Sequence, residues 1–482
     1  MNRNYIIIGA GRALQILIAL AAMRLLTHLL SSSEVGNVYL VLSIISYFSL
    51  VFVSPVGLYV TRRLNDWHKG GILLDRFACY NVYVLGVSLS VFPILFIVKG
   101  AFGIAAGIST LGFCLLASGY IYAGTWNSTI ISALNMLHHR LSFVVFSMLT
   151  LLLSLFFSVF LVKLYSSSAA MWIAGQILGF MIAALVSLLY FRRKVSYNVN
   201  FGRVWEVLRK PRLQGIAKFS FPLLVMTFFM WMQNQSYRLV VEKNIGLDFL
   251  GQMAVGLGIA AAVATAAEAL VQQIYYPIYY TEINTPDGEI RKSAWNKMSG
   301  FIIPLYLLTT LFVSFLAWHL VTVLVDVKFR EVWIFTVFGA WVEFGRIVTN
   351  IFSTVAHSEM RTGPLAKPYA LGGILTAVGV YFASLSPDHA FWIPAALVLS
   401  GFVTLFFMIT GMRRIMKFTV SFKAIKMAVL LALPFPLGLL VKNSESSILI
   451  SCAVLLALGT YFLFAQYLLY RKAAGDCTTD GL

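Results

Sequence analysis

Apolar stretches of about 20 residues recur along the whole chain, separated by short polar turns. A helix of that length crosses a hydrocarbon core about 30 Å thick. The pattern predicts fourteen spans, at about 5–30, 36–58, 77–98, 107–134, 142–164, 169–191, 219–241, 249–279, 299–325, 332–356, 369–385, 391–411, 427–441 and 447–470. The eleventh and thirteenth are short. The fold class expected is an all-α polytopic membrane protein: two pseudo-symmetric six-helix lobes with two further helices at the C-terminal end.

Composition strengthens that expectation. Of the 482 residues, 60% are hydrophobic and 11% charged, against about 25% charged in soluble proteins, and the mean hydropathy is +0.86. The four cysteines, Cys79, Cys114, Cys452 and Cys477, show neither a disulfide spacing nor a metal-ligand spacing, so no metal or cofactor is expected. Arg3 followed by an apolar run and the small residues of "ALAAM" has some look of a secretory signal, but Arg12 interrupts that run, which continues to Leu30.

Charge placement sets the topology. With the N-terminus inside, 26 of the 36 lysines and arginines fall on the cytoplasmic side and 6 outside: Lys99, Lys163, Lys243, Lys328, Arg330 and Lys442. The other four, Arg12, Arg24, Arg238 and Arg346, lie inside spans. This bias obeys the positive-inside rule without inverting anywhere, which places both termini in the cytoplasm. The net charge of +18 is then a topology signal, and no nucleic-acid partner is expected.

The most basic loop, 192–218, carries Phe201, Val204, Trp205 and Leu208 at i, i+3, i+4 and i+7. It reads as an amphipathic helix on the inner membrane surface. It divides the chain into an N-lobe (1–191), the linker (192–218), a C-lobe (219–412) and a last pair of spans with a cytoplasmic tail (413–482).

The two lobes echo each other. Arg24-Leu25 is followed by Glu34 and Gly36, and Arg238-Leu239 by Asp248 and Gly251. "SPVGLYVTRR" (54–63) echoes "YYPIYYTE" (275–282). "GYIYAGTWNSTIISALNMLHHR" (119–140) pairs with "GAWVEFGRIVTNIFSTVAHSEMR" (339–361), placing Asn127 opposite Asn350. Matched spans are six apart, so both lobes enter the membrane from the same side, the parallel-repeat arrangement that sets a substrate site between lobes.

Polar residues inside spans carry the candidate chemistry. Arg24 sits about 27 Å along its helix from Ile6 at 1.5 Å per residue, near enough to the outer end to snorkel. Arg12 lies close to the inner end and Arg238 close to the outer end of span seven. Glu343 and Arg346, at i,i+3, share a helix face and read as an ion pair or as part of a cavity. Glu268 reads as a residue of a wet cavity or as an ion-coupling acid. Asn127 and Asn350 read as cavity amides or as interhelical hydrogen bonds. Four arginines against two glutamates favour an anionic ligand such as a pyrophosphate, which guanidinium groups hold by bidentate hydrogen bonds. Outer loops of at most about ten residues offer no frame for acid–base chemistry, and no P-loop glycines are present, so no enzyme activity is expected.

The stretches "RLLTHLLSSSEVGNVYLVLSI", "PVGLYVTRR", "AKFSFPLLV" and "YRLVVEKNIGLDFLGQMAVG" resemble the multidrug/oligosaccharidyl-lipid/polysaccharide exporter (MOP) superfamily, and within it the polysaccharide and O-antigen flippases. Gln233-Asn234-Gln235-Ser236-Tyr237 stands where such members typically carry an Asp before the span-seven arginine, which adds Gln235 to the cavity candidates. The resemblance implies a flippase of the bacterial inner membrane, moving an undecaprenyl-pyrophosphate-linked glycan by alternating access. It implies membrane lipids, a polysaccharide polymerase and a chain-length regulator as partners. Alternatives are a lipid II flippase or a drug/cation antiporter of the same superfamily. From another class, the alternative is a membrane-embedded glycosyltransferase or polymerase.

Overall fold

The computed structural model describes residues 3–195, 199–209, 213–285, 287–359, 361, 363–441 and 447–479. These residues are helical almost throughout, with no strand among them. All fourteen expected spans fall on helices. Among the described residues, eleven helices are long and apolar enough to cross a bilayer. The remaining three spans are the first helix, of which Leu14–Leu29 is a shorter apolar stretch among the described residues, the fourth, diluted by Ser118, Gly119, Gly124, Thr125 and Asn127, and the broken thirteenth.

The chain forms two compact units, Met1–Gly251 and Gln252–Leu482. Unit 1 begins with α1 (Arg3–Leu29) and α2 (Ser32–Phe48). Ser31 starts α2 as its N-cap, accepting the Glu34 N–H at 3.3 Å, the side-chain capture of an orphan donor that such positions favour. A π-helical turn, Ser49–Val53, joins α2 to α3 (Ser54–Lys69). Pro55 sits at the start of α3, where its missing N–H costs nothing. Then follow α4 (Leu73–Phe102), α5 (Thr110–Met136), α6 (Arg140–Leu164) and α7 (Ala169–Lys194).

Helices α6 and α7 pack through small residues. A Cβ on Gly175 would meet the Ser158 backbone at 2.3 Å, and one on Gly179 the Ser154 backbone at 2.4 Å. Backbones can approach that closely only where side chains are absent, a common device in membrane helix pairs.

The basic loop contains a short helix, α8 (Phe201–Arg209). It docks on α4: Val204 is buried, Asp75 accepts the Asn200 N–H at 2.7 Å, and Arg203 lies 3.5 Å from the same carboxylate. Phe201 and Trp205 remain exposed.

The seventh span is two helices, α9 (Leu213–Gln235) and α10 (Tyr237–Asn244), with the break at Ser236. Unit 1 closes with the first turn of α11 (Leu247–Glu282). The two motif glycines meet there. A Cβ on Gly36 would lie 2.1 Å from the Leu247 carbonyl oxygen, and one on Gly251 1.9 Å from that of Ser32. Ser32 also donates a hydrogen bond to Asp248.

Unit 2 continues with α12 (Gly288–Leu324), α13 (Trp333–Ser358), α14 (Ala366–Ser384) and α15 (His389–Arg413). Its last part holds α16 (Phe422–Leu431), α17 (Leu437–Leu440) and α18 (Ile448–Thr479). Pro434 and Pro436 separate α16 from α17, since neither can donate to a continuing helix. Fully buried His319 on α12 ties these pieces in. One ring nitrogen lies 2.9 Å from the Gly438 carbonyl and the other 3.1 Å from the Ser451 hydroxyl.

Candidate functional site

Two of the sequence candidates of unit 1, Arg238 and Gln235, lie where α2 meets α9 and α10. Arg238, the second residue of α10, donates from Nη1 to the Tyr39 carbonyl at 3.1 Å and from Nε to the Tyr237 hydroxyl at 3.2 Å. Its guanidinium carbon also lies 5.2 Å and 5.5 Å from the Tyr39 and Tyr237 ring centroids, within range of cation–π attraction. Neutral groups therefore hold Arg238, and these two bonds engage only part of its five-donor fork. Beside it, Gln235 buries its side-chain oxygen with no hydrogen-bond partner among the described residues. Trp231 anchors α9 to α2 by donating to the Ser43 carbonyl at 2.8 Å.

Arg24 is half-buried on α1, a turn before Leu29 ends that helix. The side chain of Arg12 lies outside the described residues. Asn127 is spent on packing: its amide donates to Thr150 on α6 at 3.2 Å, and it is 5% exposed. In unit 2, Asn350 likewise accepts from Tyr369 on α14 at 3.2 Å. The two asparagines thus do the same work at matching places in the repeat, tying the fourth span to the fifth and the tenth to the eleventh.

Unit 2 holds the acids. Arg346 donates from Nε to Glu343 at 2.7 Å and from Nη2 to Glu268 at 3.0 Å. Glu343 shares α13 with it, whereas Glu268 comes from α11. One arginine with two carboxylates carries a formal charge of −1, so Arg346 is more than balanced where it stands. A small void beside the triad is lined by Glu343, Tyr306, Thr309 and Thr310.

Sequence reasoning missed one further cluster in unit 1. Lys99, 8% exposed at the end of α4, donates to the carbonyls of Ala105 and Ile108 at 2.6 Å and 2.5 Å. Glu242 on α10 accepts the Ala105 N–H at 2.7 Å. Ala105 has φ 54°, a left-handed conformation uncommon for a residue with a Cβ, and both of its backbone polar groups are pinned by charged side chains. Burial pushes the Glu242 carboxyl above its usual range, against the opposing pull of the Ala105 N–H, Lys243 and Lys99. The only hint in the sequence is the pair of charges at adjoining outer ends of spans.

With this geometry in place, comparison with known proteins places the fold. The chain is similar to the lipid II flippase MurJ in an inward closed conformation, at 13% identity and TM-score 0.65, over 97% of this chain and 99% of that one. The fold is shared with solved transporters of the MOP superfamily. An inward-facing multidrug resistance MATE family transporter of that superfamily matches at 12% identity and TM-score 0.56, over 84% of this chain and 98% of that one. A superfamily transporter from Pyrococcus furiosus, described by the reverse polarity of its binding pocket, matches at 14% identity and TM-score 0.51, over 85% and 94%. No protein-family model matches the sequence, and no curated protein does.

Proposed function

We propose that this chain is a flippase of the bacterial inner membrane that carries an undecaprenyl-pyrophosphate-linked oligosaccharide repeat unit from the cytoplasmic to the outer leaflet by alternating access. The carrying observation is Arg238, held inside unit 1 by neutral groups alone among the described residues. Such a guanidinium can take a phosphate oxygen without first breaking an ion pair. The MurJ-like fold supports a lipid-linked substrate. A cation antiporter needs an acid at liberty to bind its ion, whereas Glu268 and Glu343 both lie on Arg346, which favours the flippase. Both termini and the 192–218 linker are assigned to the cytoplasm, following the charge bias.

The deciding experiment deletes the gene and identifies the lipid-linked glycan that accumulates inside. A repeat-unit lipid supports the proposal; accumulated lipid II moves the chain to the peptidoglycan branch. Energy is tested on reconstituted protein. Carrying roughly two negative charges outward is downhill by about 4–5 kcal/mol per 100 mV of inside-negative potential, at about 2.3 kcal/mol per charge. An imposed potential alone should therefore drive transport. Transport that follows only a proton or sodium gradient, and that stops in Glu268→Gln or Glu343→Gln, assigns coupling to those acids instead.

A further inference from the structure

A second cavity lies within unit 1, bounded by the π-helical turn, α3, α4 and α5, and it has a volume of about 350 Å³. Small-molecule sites run from about 300 to 1,000 Å³. Its lining carries no charged side chain but is rich in hydroxyls. On α5 they fall at Thr125, Ser128, Thr129 and Ser132, the i, i+3, i+4 and i+7 positions of one helix face. Ser49, Ser54 and Thr61 face the same space from the π turn and α3, and Tyr80 from α4.

These hydroxyls are not all consumed by the fold. Thr61 donates to the Gly57 carbonyl at 2.9 Å, and Ser128 and Thr129 donate to that of Thr125 at 2.9 Å and 2.8 Å. Thr129 also meets the Tyr80 hydroxyl, while Thr61 and Ser128 keep their acceptor lone pairs. Among the described residues, the hydroxyls of Ser54, Thr125 and Ser132 have no hydrogen-bond partner. A wall that offers donors and acceptors together, with no charge, suits a ligand that itself presents many hydroxyls. Phosphate or a cation would find no counter-charge there, and a hydrocarbon would strip the hydroxyls of water with nothing in return. Leu58, Phe77 and Tyr80 supply apolar surface for the C–H face of a sugar ring.

The fold does not require this hollow. In the repeat-related segment of unit 2, rings occupy the helix: Tyr275 stacks on Phe301 at 4.6 Å, and Tyr279 is 2% exposed. Where unit 2 is packed with tyrosines, unit 1 has Ser54, Gly57 and Leu58. A Cβ on Gly57 would lie 3.0 Å from the Tyr80 hydroxyl, so the glycine helps keep that wall open.

We infer that the hydroxyl-lined cavity between α3, α4 and α5 is a saccharide subsite, which holds an uncharged sugar of the lipid-linked substrate; this rests on the flippase reading above. The test uses the full chain in lipid nanodiscs and two probes, undecaprenyl pyrophosphate and undecaprenyl-pyrophosphate-linked N-acetylglucosamine, with binding followed by native mass spectrometry. The unmutated protein should bind the sugar-bearing lipid at least tenfold more tightly. Thr125→Val with Ser132→Ala removes two hydroxyls at little change of volume and should shrink that preference to threefold or less. Ser132→Phe fills the cavity and should abolish it. Both variants should bind the sugarless lipid as the unmutated protein does, which also reports that they are folded. A preference retained in the variants, absent from the unmutated protein, or lost together with sugarless binding overturns the subsite. An unmutated protein that binds neither lipid overturns the flippase reading as well.

Discussion

The Arg346 triad makes the most quantitative claim. Arg346 is 27% exposed and its partners Glu268 and Glu343 are 16% and 15% exposed, so all three charges are largely withdrawn from water. Charges about 4 Å apart attract by about 4 kcal/mol at an effective dielectric constant near 20. Two such attractions outweigh one repulsion between the carboxylates, but desolvation of three ions offsets most of that gain. Arg346→Ala strands two buried carboxylates and should destabilise the protein by about 3–5 kcal/mol. Glu343→Gln should cost only about 1–2 kcal/mol, because Arg346 keeps Glu268 and the amide oxygen can still accept from Nε. The triple change Glu268→Gln, Glu343→Gln, Arg346→Met removes all three charges and should restore most of the stability lost in Arg346→Ala. The assay is thermal unfolding of purified protein in detergent, followed by tryptophan fluorescence. Arg346→Ala unfolding at the unmutated temperature, or the triple variant faring worse than the single one, would refute the triad as a structural unit.

Arg24→Ala and Arg238→Ala should each impair surface polysaccharide at near-normal protein abundance. Lysine at either position should rescue only in part, since it lacks the bidentate fork; the measurement is polysaccharide on a complemented deletion strain. A cysteine in place of Arg203 should resist impermeant thiol reagents added outside intact cells, and one in place of Asp388 should react. Because burial raises the Glu242 pKa, the folded chain holds that proton more tightly than the unfolded one. The stabilisation is present in full below the unfolded value and is lost as pH rises through the folded one. The unmutated protein should therefore gain more thermal stability than Glu242→Gln between pH 7 and pH 5, and equal gains would count against a buried carboxyl there.

What the sequence made legible is what depends on neighbours along one helix. Hydropathy with loop punctuation finds the spans, because length and apolarity are local properties. The i,i+3 spacing finds the Glu343–Arg346 bond. The link from Glu268 to Arg346 crosses 78 positions, and nothing local in "TAAEALVQQIYYP" points to α13. Asn127 shows the opposite limit. Its place in the repeat was visible, but whether its amide faced a cavity or Thr150 depended on how α5 packs on α6. The hydroxyl cavity escaped for a different reason: serine and threonine back-bonding to their own helix is common in membrane spans, so their spacing gives no sign of the space in front of them.

The charges divide between the units in a way that bears on how a substrate is recognised. Arg24 and Arg238 lie in unit 1, as does the uncharged hydroxyl cavity. The buried acids Glu268 and Glu343 lie in unit 2, and both are engaged with Arg346. A count of four arginines against two glutamates along the chain suggests a cavity positive on all sides. With Arg346 matched at home, a guanidinium held by neutral groups stands in unit 1, at Arg238. Within unit 2 the two carboxylates spare Arg346 the cost of an unpaired cation in the membrane, about 2.5–3.5 kcal/mol on insertion scales for an arginine at a bilayer centre.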